Sequence, residues 1–499
     1  MPPAVRVHSS GVLLCASIAL ALLATPSEGL AQAADTGVGL KLPSMQDPEP
    51  AKAGDDPVLS WETGTGKSYL VPALEIVGFD VLLNQFDRHF VDHEVYASNL
   101  SSIDRNLNSK WVVDEDPFST NQFLHPYQGN MYYGFARSAG LDYWSSLAYT
   151  FAGSAFWEVA GETGPPSIND QVASGIAGTF LGEPLFRMSS LLLENADGSP
   201  GFWRELGAAA ISPSTGFNRL VFGDRFDAIF PSRDPAYFAR LQLGGSYTLH
   251  MPDSSSPPVK RSEANADFMM SYGLSGKPDY DYSRPFDYFN FQFTASTANV
   301  FENIMSRGLL VGTDYALGKS YRGIWGLYGS YDYISPQTFR VSSTALSLGT
   351  TAQWWLSRAV ALQGTALGGV GYGAAGTIHG QGERDYHYGA TPQALLALKL
   401  IFGRRASLDV TGREYYVSRV ASTESRGWEN IVRVDTTLTV RIYGRHAIAL
   451  RYVASHRRAS YPDLGNRNQT IGTIGLFYTL LGDTRFGAVE WRDAQPAPR

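Results

Sequence analysis

The chain has a single cysteine in 499 residues, and that one, Cys15, lies in a short apolar run near the start. Disulfides and cysteine-ligated metals are therefore excluded from everything that follows it. Charge is also scarce: Asp, Glu, Lys and Arg make up 17 % of the residues, against roughly a quarter in an ordinary soluble protein. The formal net charge of −7 argues against nucleic acid as a partner. No apolar stretch reaches the ~20 residues that a membrane-spanning helix needs. A Gly-x-Ser-x-Gly elbow and a His-Glu-x-x-His zinc motif are both missing, so the standard serine-hydrolase and zincin chemistries have no footing. Gly64-Thr65-Gly66-Lys67-Ser68 imitates the end of a phosphate loop, but Trp61 stands where its first glycine would be.

What is present is glycine (51 residues) and aromatic side chains (13 %). Low charge with these in abundance, behind an export signal, is the composition of an outer-membrane β-barrel. The signal is legible in residues 1–33: Arg6 and His8, the apolar Gly11–Ala24, then the small-x-small site Ala31-Gln32-Ala33. Leu14 is too large to precede a lipid-anchored cysteine, so the mature chain is expected to begin at Ala34 without a lipid. Residues 34–60 lack apolar periodicity and read as a flexible linker.

Residues 61–232 read as a small helical domain. Leu74, Val77, Val81 and Phe86 fit a helix over Leu70–Phe90. His89 and His93 share a face of it, but no third ligand accompanies them and a solvated helix end explains them. The central stretch predicts helices over Gly129–Ala139, Tyr143–Ala160 and Ile168–Leu193, the last capped by Ser167 with Asp170 completing a box-like pattern. Small residues at Ala148, Ala152 and Ala155, and at Ser174, Gly178 and Gly182, suggest that the second and third pack closely. Pro184 is expected to kink the third.

Several pieces of this stretch are familiar in combination: Phe118-Ser119-Thr120-Asn121, His125-Pro126-Tyr127-Gln128-Gly129, Trp157-Glu158, Pro166-Ser167-Ile168-Asn169-Asp170 and Gly216-Phe217-Asn218-Arg219-Leu220. In this order they make the run from Trp111 to Gly223 resemble a bacterial exported family known only as domain of unknown function 3943. The resemblance implies an envelope protein and carries no activity with it. Pro184 directly after Glu183 departs from the helix-compatible residue expected there.

From residue 236 to 491 the period becomes two. Leu241, Leu243, Tyr247 and Leu249 alternate with Arg240, Gln242, Ser246 and Thr248; Phe289, Phe291 and Phe293 alternate with Asn290, Gln292 and Thr294. About twelve such segments predict an antiparallel transmembrane β-barrel, making the whole an α+β chain with the helical domain first. Gly403–Arg405 and Tyr443–Arg445 are short connections; Gly376–His387, Ser418–Gly427 and Ser455–Asn468 are long. The long ones are expected outside the cell, and Ser275–Pro285 is too long for its place among the short ones. Trp354, Trp355, Tyr415, Tyr416, Trp428 and Tyr443 sit where interfacial girdles belong. Arg240, Asp267, Asp314, Asp409, Arg413, Arg433, Asp435, Arg441 and Arg451 are expected to face the lumen, as salt-bridged filling or as a polar path.

His125, Glu158, Glu162, Asp170 and Glu183 stand in apolar helical surroundings and form the candidate catalytic set, with Arg137 and Arg187 as counter-charges. Two readings of the set stand beside each other: acid/base chemistry by carboxylates of raised pKa with His125 as base, or capping and ion-pair packing. No cofactor and no metal ligand set is assigned. The functional expectation is an outer-membrane barrel with a periplasmic helical plug or cap, gating passage of a solute or lipid. The alternative is a membrane-embedded hydrolase or transferase acting on envelope lipid or glycan. Outer-membrane lipid is the expected partner in both.

Overall fold

The computed structural model describes residues 57–194, 200–250, 261–336, 339–376, 382–420 and 427–491. The expected signal peptide, its expected cleavage site and nearly all of the expected linker lie outside these. Twelve antiparallel strands close into one barrel in simple up-and-down order: β1 (Tyr237–His250), β2 (Ser262–Tyr272), β3 (Phe289–Ser296), β4 (Asn303–Leu317), β5 (Tyr321–Ile334), β6 (Arg340–Trp355), β7 (Val360–Gly376), β8 (Tyr386–Phe402), β9 (Ala406–Val417), β10 (Trp428–Tyr443), β11 (His446–Tyr461) and β12 (Gly465–Leu481). Pairing of β1 with both β2 and β12 removes every edge.

Side chains that touch across non-neighbouring strands define the inside. Arg451 on β11 reaches Asp267 on β2 (3.4 Å), and Tyr415 on β9 donates to Asp332 on β5 (2.9 Å). Arg240, Asp409, Arg413, Arg433 and Asp435 share that face; Asp314 and Arg441 lie near the short-turn rim, where Asp314 is exposed and Arg441 bonds the carbonyl of Arg404. Outward-facing residues such as Leu348, Val370, Leu398, Val440, Ile442, Leu450 and Leu476 are exposed and form an apolar band. A period of two also sorts the expected girdle: Trp354, Tyr416 and Tyr443 point outward and are exposed. Their neighbours Trp355 and Tyr415 necessarily point in, toward Val489 and Asp332.

The two ends differ. Residues 318–320, 356–359, 403–405 and 444–445 are tight turns at the end where β1 starts and β12 stops. The expected long loop Ser455–Asn468 is instead strand, because β11 and β12 stay paired from Ser455↔Ile471 to Tyr461↔Gly465. Its polar residues extend the ladder beyond the apolar band, a state that hydrogen bonding permits wherever water can solvate the outer face.

The helices are α1 (Leu70–Phe90), α2 (Leu100–Leu107), α3 (His125–Ser138), α4 (Tyr143–Ala160), α5 (Ile168–Val172), α6 (Gly178–Leu193), α7 (Phe202–Ile211) and α8 (Pro213–Phe222). A π-turn over Thr120–Leu124 leads into α3, which therefore starts four residues before the expected Gly129, and another over Ala173–Ala177 joins α5 to α6. No helix among the described residues is long and apolar enough to cross a membrane.

The helical domain does not plug the barrel or cap its mouth. It packs on the outer wall: Leu181, Leu185, Met188 and Leu192 share a core with Leu241, Phe268, Met270, Phe289, Phe291, Ile304, Tyr331 and Tyr388. All eight wall residues are on the outward parity of their strands. Five of the eight are aromatic, and the helices cover them. The plug is the C-terminal segment. Phe486, Val489 and Trp491 bury among Phe238, Leu274, Ala361, Ile401, Ala447 and Leu481 inside the short-turn end.

Two sequence anomalies are explained by this docking. The long β2–β3 connection carries Asp287, which accepts from Arg187 of α6 (2.9 Å), and Pro285, whose carbonyl accepts a second Arg187 bond (2.7 Å). Pro184 lies inside α6, which runs on through it. The missing N–H would orphan the Phe180 carbonyl, and Ser306 on the outer face of β4 donates to that carbonyl at 2.5 Å.

Candidate functional site

Close backbone contact positions the site. A Cβ built on Gly178 would stand 2.6 Å from the Gly129 Cα, and one on Gly129 would stand 1.9 Å from the Ser174 carbonyl oxygen. The small-residue stripe on α5–α6 thus meets α3, not α4, and Ala148 and Ala152 of α4 are exposed. The π-turn at Ala173–Ala177 falls at that crossing. An extra residue per turn there shifts the face that α5 presents, and α5 carries Asp170 beside His125.

Three of the five predicted residues come together. One ligand-type atom each of His125, Glu158 and Asp170 lie within 4.8 Å of one another, and all three side chains are buried. His125 Nε2 stands 3.7 Å from Asp170 Oδ2, too far for a hydrogen bond, and His125 Nδ1 has no partner. Glu158 Oε2 accepts the Ser167 N–H (2.7 Å). The expected capping box is therefore closed by Glu158 from α4, while Ser167 Oγ accepts from the Asp170 N–H (3.2 Å).

A second tier of residues was not singled out in the sequence. Asp114 accepts from Asn121 (2.6 Å) and Asn169 (2.7 Å). Asn169 also donates to Asp170 (3.0 Å) and to Tyr388 Oη (2.9 Å), and Gln122 donates to the same hydroxyl (2.7 Å). Asn121 donates also to Tyr386 Oη (3.0 Å); Tyr388 and Tyr386 belong to β8, so the barrel wall completes the cluster. Asn121 and Asn169 lie in the motifs that carry the family resemblance, and that is their signal in the sequence; Gln122 and the tyrosines carry none, because distance along the chain hides what they meet.

Burial sets the protonation of this group. It depresses His125 to about 4, against the opposing pull of Asp114. It raises Glu158 well above its usual range, with Glu162 adding to the effect, and raises Asp170 likewise, with Asp114 and Glu158 adding. Each is a group in which the charged form is penalised.

Glu162 lies beside this group without joining it, and Glu183 belongs elsewhere. Glu162 follows the end of α4 and accepts from Trp157 Nε1 (3.0 Å). Glu183 lies thirteen residues beyond Asp170, roughly 20 Å along a helix. It accepts from Arg187 Nε (2.7 Å), Arg137 Nε (2.8 Å), Arg137 Nη2 (3.2 Å) and Tyr133 Oη (2.7 Å). Burial alone would raise its pKa; Arg137 and Arg187 overcome that and hold it down to about 2. This is an ion-pair network that ties α3 and α6 to the β2–β3 connection, the packing reading of that residue. His89 and His93 are exposed, with the His89 ring on its own helix at the Gln85 carbonyl (2.6 Å).

The molecule is thus a closed twelve-stranded barrel carrying a helical domain on its outer wall, with a sealed acid–histidine cluster where the two meet. Residues 110–214 match the family described as Domain of unknown function (DUF3943), as the motifs from Trp111 onward suggest. No curated protein matches the chain. Among solved structures, the outer membrane channel DcaP of Acinetobacter baumannii is similar at 7 % identity and a TM-score of 0.22, over 49 % of this chain and 96 % of that one. OmpT of Vibrio cholerae gives 8 % and 0.19, over 49 % and 96 %. Wzi of Escherichia coli, a carbohydrate-binding β-barrel, gives 8 % and 0.16, over 56 % and 89 %. Likenesses this low say nothing of what the present barrel binds or passes.

Proposed function

We propose that the protein is an outer-membrane barrel holding a polar conduit in its closed state, with the helical domain as a lateral buttress. The lumen carries this reading. A cavity of about 90 Å³ lined by Glu302, Arg433, Ser455 and Thr473 lies toward the long-loop end. A second, of about 150 Å³, lined by Arg307, Thr411 and Lys399, lies toward the short-turn end. Between them Asp267 gathers Arg451 (3.4 Å), Arg240 (4.0 Å) and Gln292 (2.7 Å), while Arg451 also pairs with Asp435. Below the second cavity the C-terminal segment closes the mouth. Lining of both signs suits a small polar solute.

Gln353 holds that segment from both sides: its Nε2 donates to the Val489 carbonyl (2.7 Å) and its Oε1 accepts the Val489 N–H (2.9 Å). Gln363 donates to the Gly487 carbonyl (2.8 Å). Replacing Gln353 and Gln363 together by Ala should loosen the segment and raise conductance in planar bilayers several-fold over the parent. If parent and variant are both silent, the conduit reading is lost.

The exposed apolar band, the even strand number and the asymmetry of the ends support the outer membrane as location. On α1 the pattern is inverted. Asp80 and Asn84 face inward, Asn84 to the Gly161 carbonyl (2.7 Å), while Leu74, Val81, Leu82, Phe86 and Phe90 are exposed. Such a face supports contact with lipid beside the wall. A cysteine at Arg419 should label on intact cells and one at Arg405 should not; the reverse pattern would overturn this orientation. The hydrolase or transferase reading lacks an entry path, since His125, Glu158 and Asp170 are sealed.

A further inference from the structure

We propose that His125, Glu158 and Asp170 bind one first-row divalent cation of the Zn²⁺ or Mn²⁺ class, sealed between α3, α4 and α5. The donor set is one imidazole and two carboxylates, the N/O mixture that such ions take. The geometry agrees. Ligand bonds of ~2.0–2.2 Å place two donors on one ion roughly 3–4 Å apart, and His125 Nε2 and Asp170 Oδ2 are 3.7 Å apart, with all three donors inside 4.8 Å. A hydrogen-bonded pair would be closer.

Charge gives an independent argument. Glu158 and Asp170 are buried with the half-buried Asp114 beside them, and the bonds given above for their carboxylates come from Asn121, Asn169 and the Ser167 N–H, none of them cationic. In the same domain Glu183 is met by two arginines. The fold thus supplies counter-charge to one acid site and leaves the other with an imidazole, 5 % exposed, that faces both carboxylates. The surrounding bonds are those of an outer shell: the Ser167 N–H fixes the Glu158 carboxylate, and Asn169 fixes Asp170 while bridging to Asp114 and to Tyr388 of the wall. Bound there, the cation would pin three helices at the point where the helical domain meets β8.

The test uses the full-length protein purified in detergent. Elemental analysis is expected to find close to one Zn²⁺ or Mn²⁺ per chain. Stripping with a strong chelator should lower the melting temperature of the helical domain, and adding Zn²⁺ or Mn²⁺ back should restore it. Glu158→Gln and Asp170→Asn should lose stoichiometric binding, whereas Glu162→Gln, whose carboxylate turns to Trp157, should keep it. The proposal fails if the wild-type protein neither retains a cation nor gains stability from either ion. It fails equally if Glu158→Gln and Asp170→Asn bind as much as the parent. Should those variants not fold, the strip-and-reload of the wild-type protein decides.

Discussion

Glu183→Gln is expected to release the helical domain from the barrel wall while leaving the barrel closed. The carboxylate takes four hydrogen bonds, three of them from Arg137 and Arg187, whose side chains are 4 % and 1 % exposed. Removing the negative charge leaves two buried guanidinium groups, of which only Arg187 keeps a carboxylate partner, Asp287, and that one is shared with Arg284. Breaking a buried pair in this way costs about 3–5 kcal/mol, a large part of the ~5–15 kcal/mol that holds an ordinary domain together. The acid response should have the same origin. Glu183 is held at about 2 against an ordinary 4.5, so its contribution is fully present above pH 4.5 and is lost as pH falls through 2. Trp61, whose ring lies 6.0 Å from Phe186 and 5.0 Å from Phe230, reports on this region. Its fluorescence should change over that window in the parent, and in the variant the domain should already be loosened at neutral pH. A variant that melts like the parent, with an unchanged acid transition, would show that the network does not hold the domain.

Gly178→Leu should be nearly as damaging, through overpacking. The added Cβ meets the Cα of Gly129 at 2.6 Å, its carbonyl carbon at 2.7 Å and the Asn130 nitrogen at 3.0 Å. All three are backbone atoms of α3, so no rotamer change relieves the contact and the helices must part. The cost is about 1–3 kcal/mol or more, and the separation would also pull His125 away from Asp170. Gly164→Ala is the control, because a Cβ there meets nothing within 4 Å. Melting curves of the two variants in detergent should differ by several degrees. Coincident curves would mean that α3 and α6 are not in contact at Gly178.

The corrected details share a cause. Sequence periodicity reports which side chains avoid water, but not what covers them. Phe289, Phe291 and Phe293 alternate as lipid-facing residues would, and in the structure Leu181 and Leu185 cover them. On α1 the same ambiguity runs the other way, since Leu74 and Val81 mark the helix by their spacing and are exposed. At Pro184 the sequence shows only the lost N–H, because its remedy, the hydroxyl of Ser306, lies more than a hundred residues away.

For the candidate site, residue type was enough to mark His125, Glu158 and Asp170, since ionisable groups in apolar helices are costly unless matched. Residue type could not divide the acids into groups. Glu183 is met by Arg137 and Arg187 because α3 crosses α6 at Gly129 and Gly178, and that crossing also leaves His125 opposite Asp170.

The sequence by itself therefore determined the twelve-stranded barrel, its inward and outward faces, the helical identity of the first half and the residues able to carry charge into its core. These follow from local period and composition, which act along the chain. Only the tertiary structure decided that the helices lie on the wall, that residues 482–491 close the lumen, and that the acids separate into an ion-pair network and a sealed histidine cluster. Those outcomes depend on which distant surfaces bury each other, a choice made by shape and by counter-charge across a hundred or more residues.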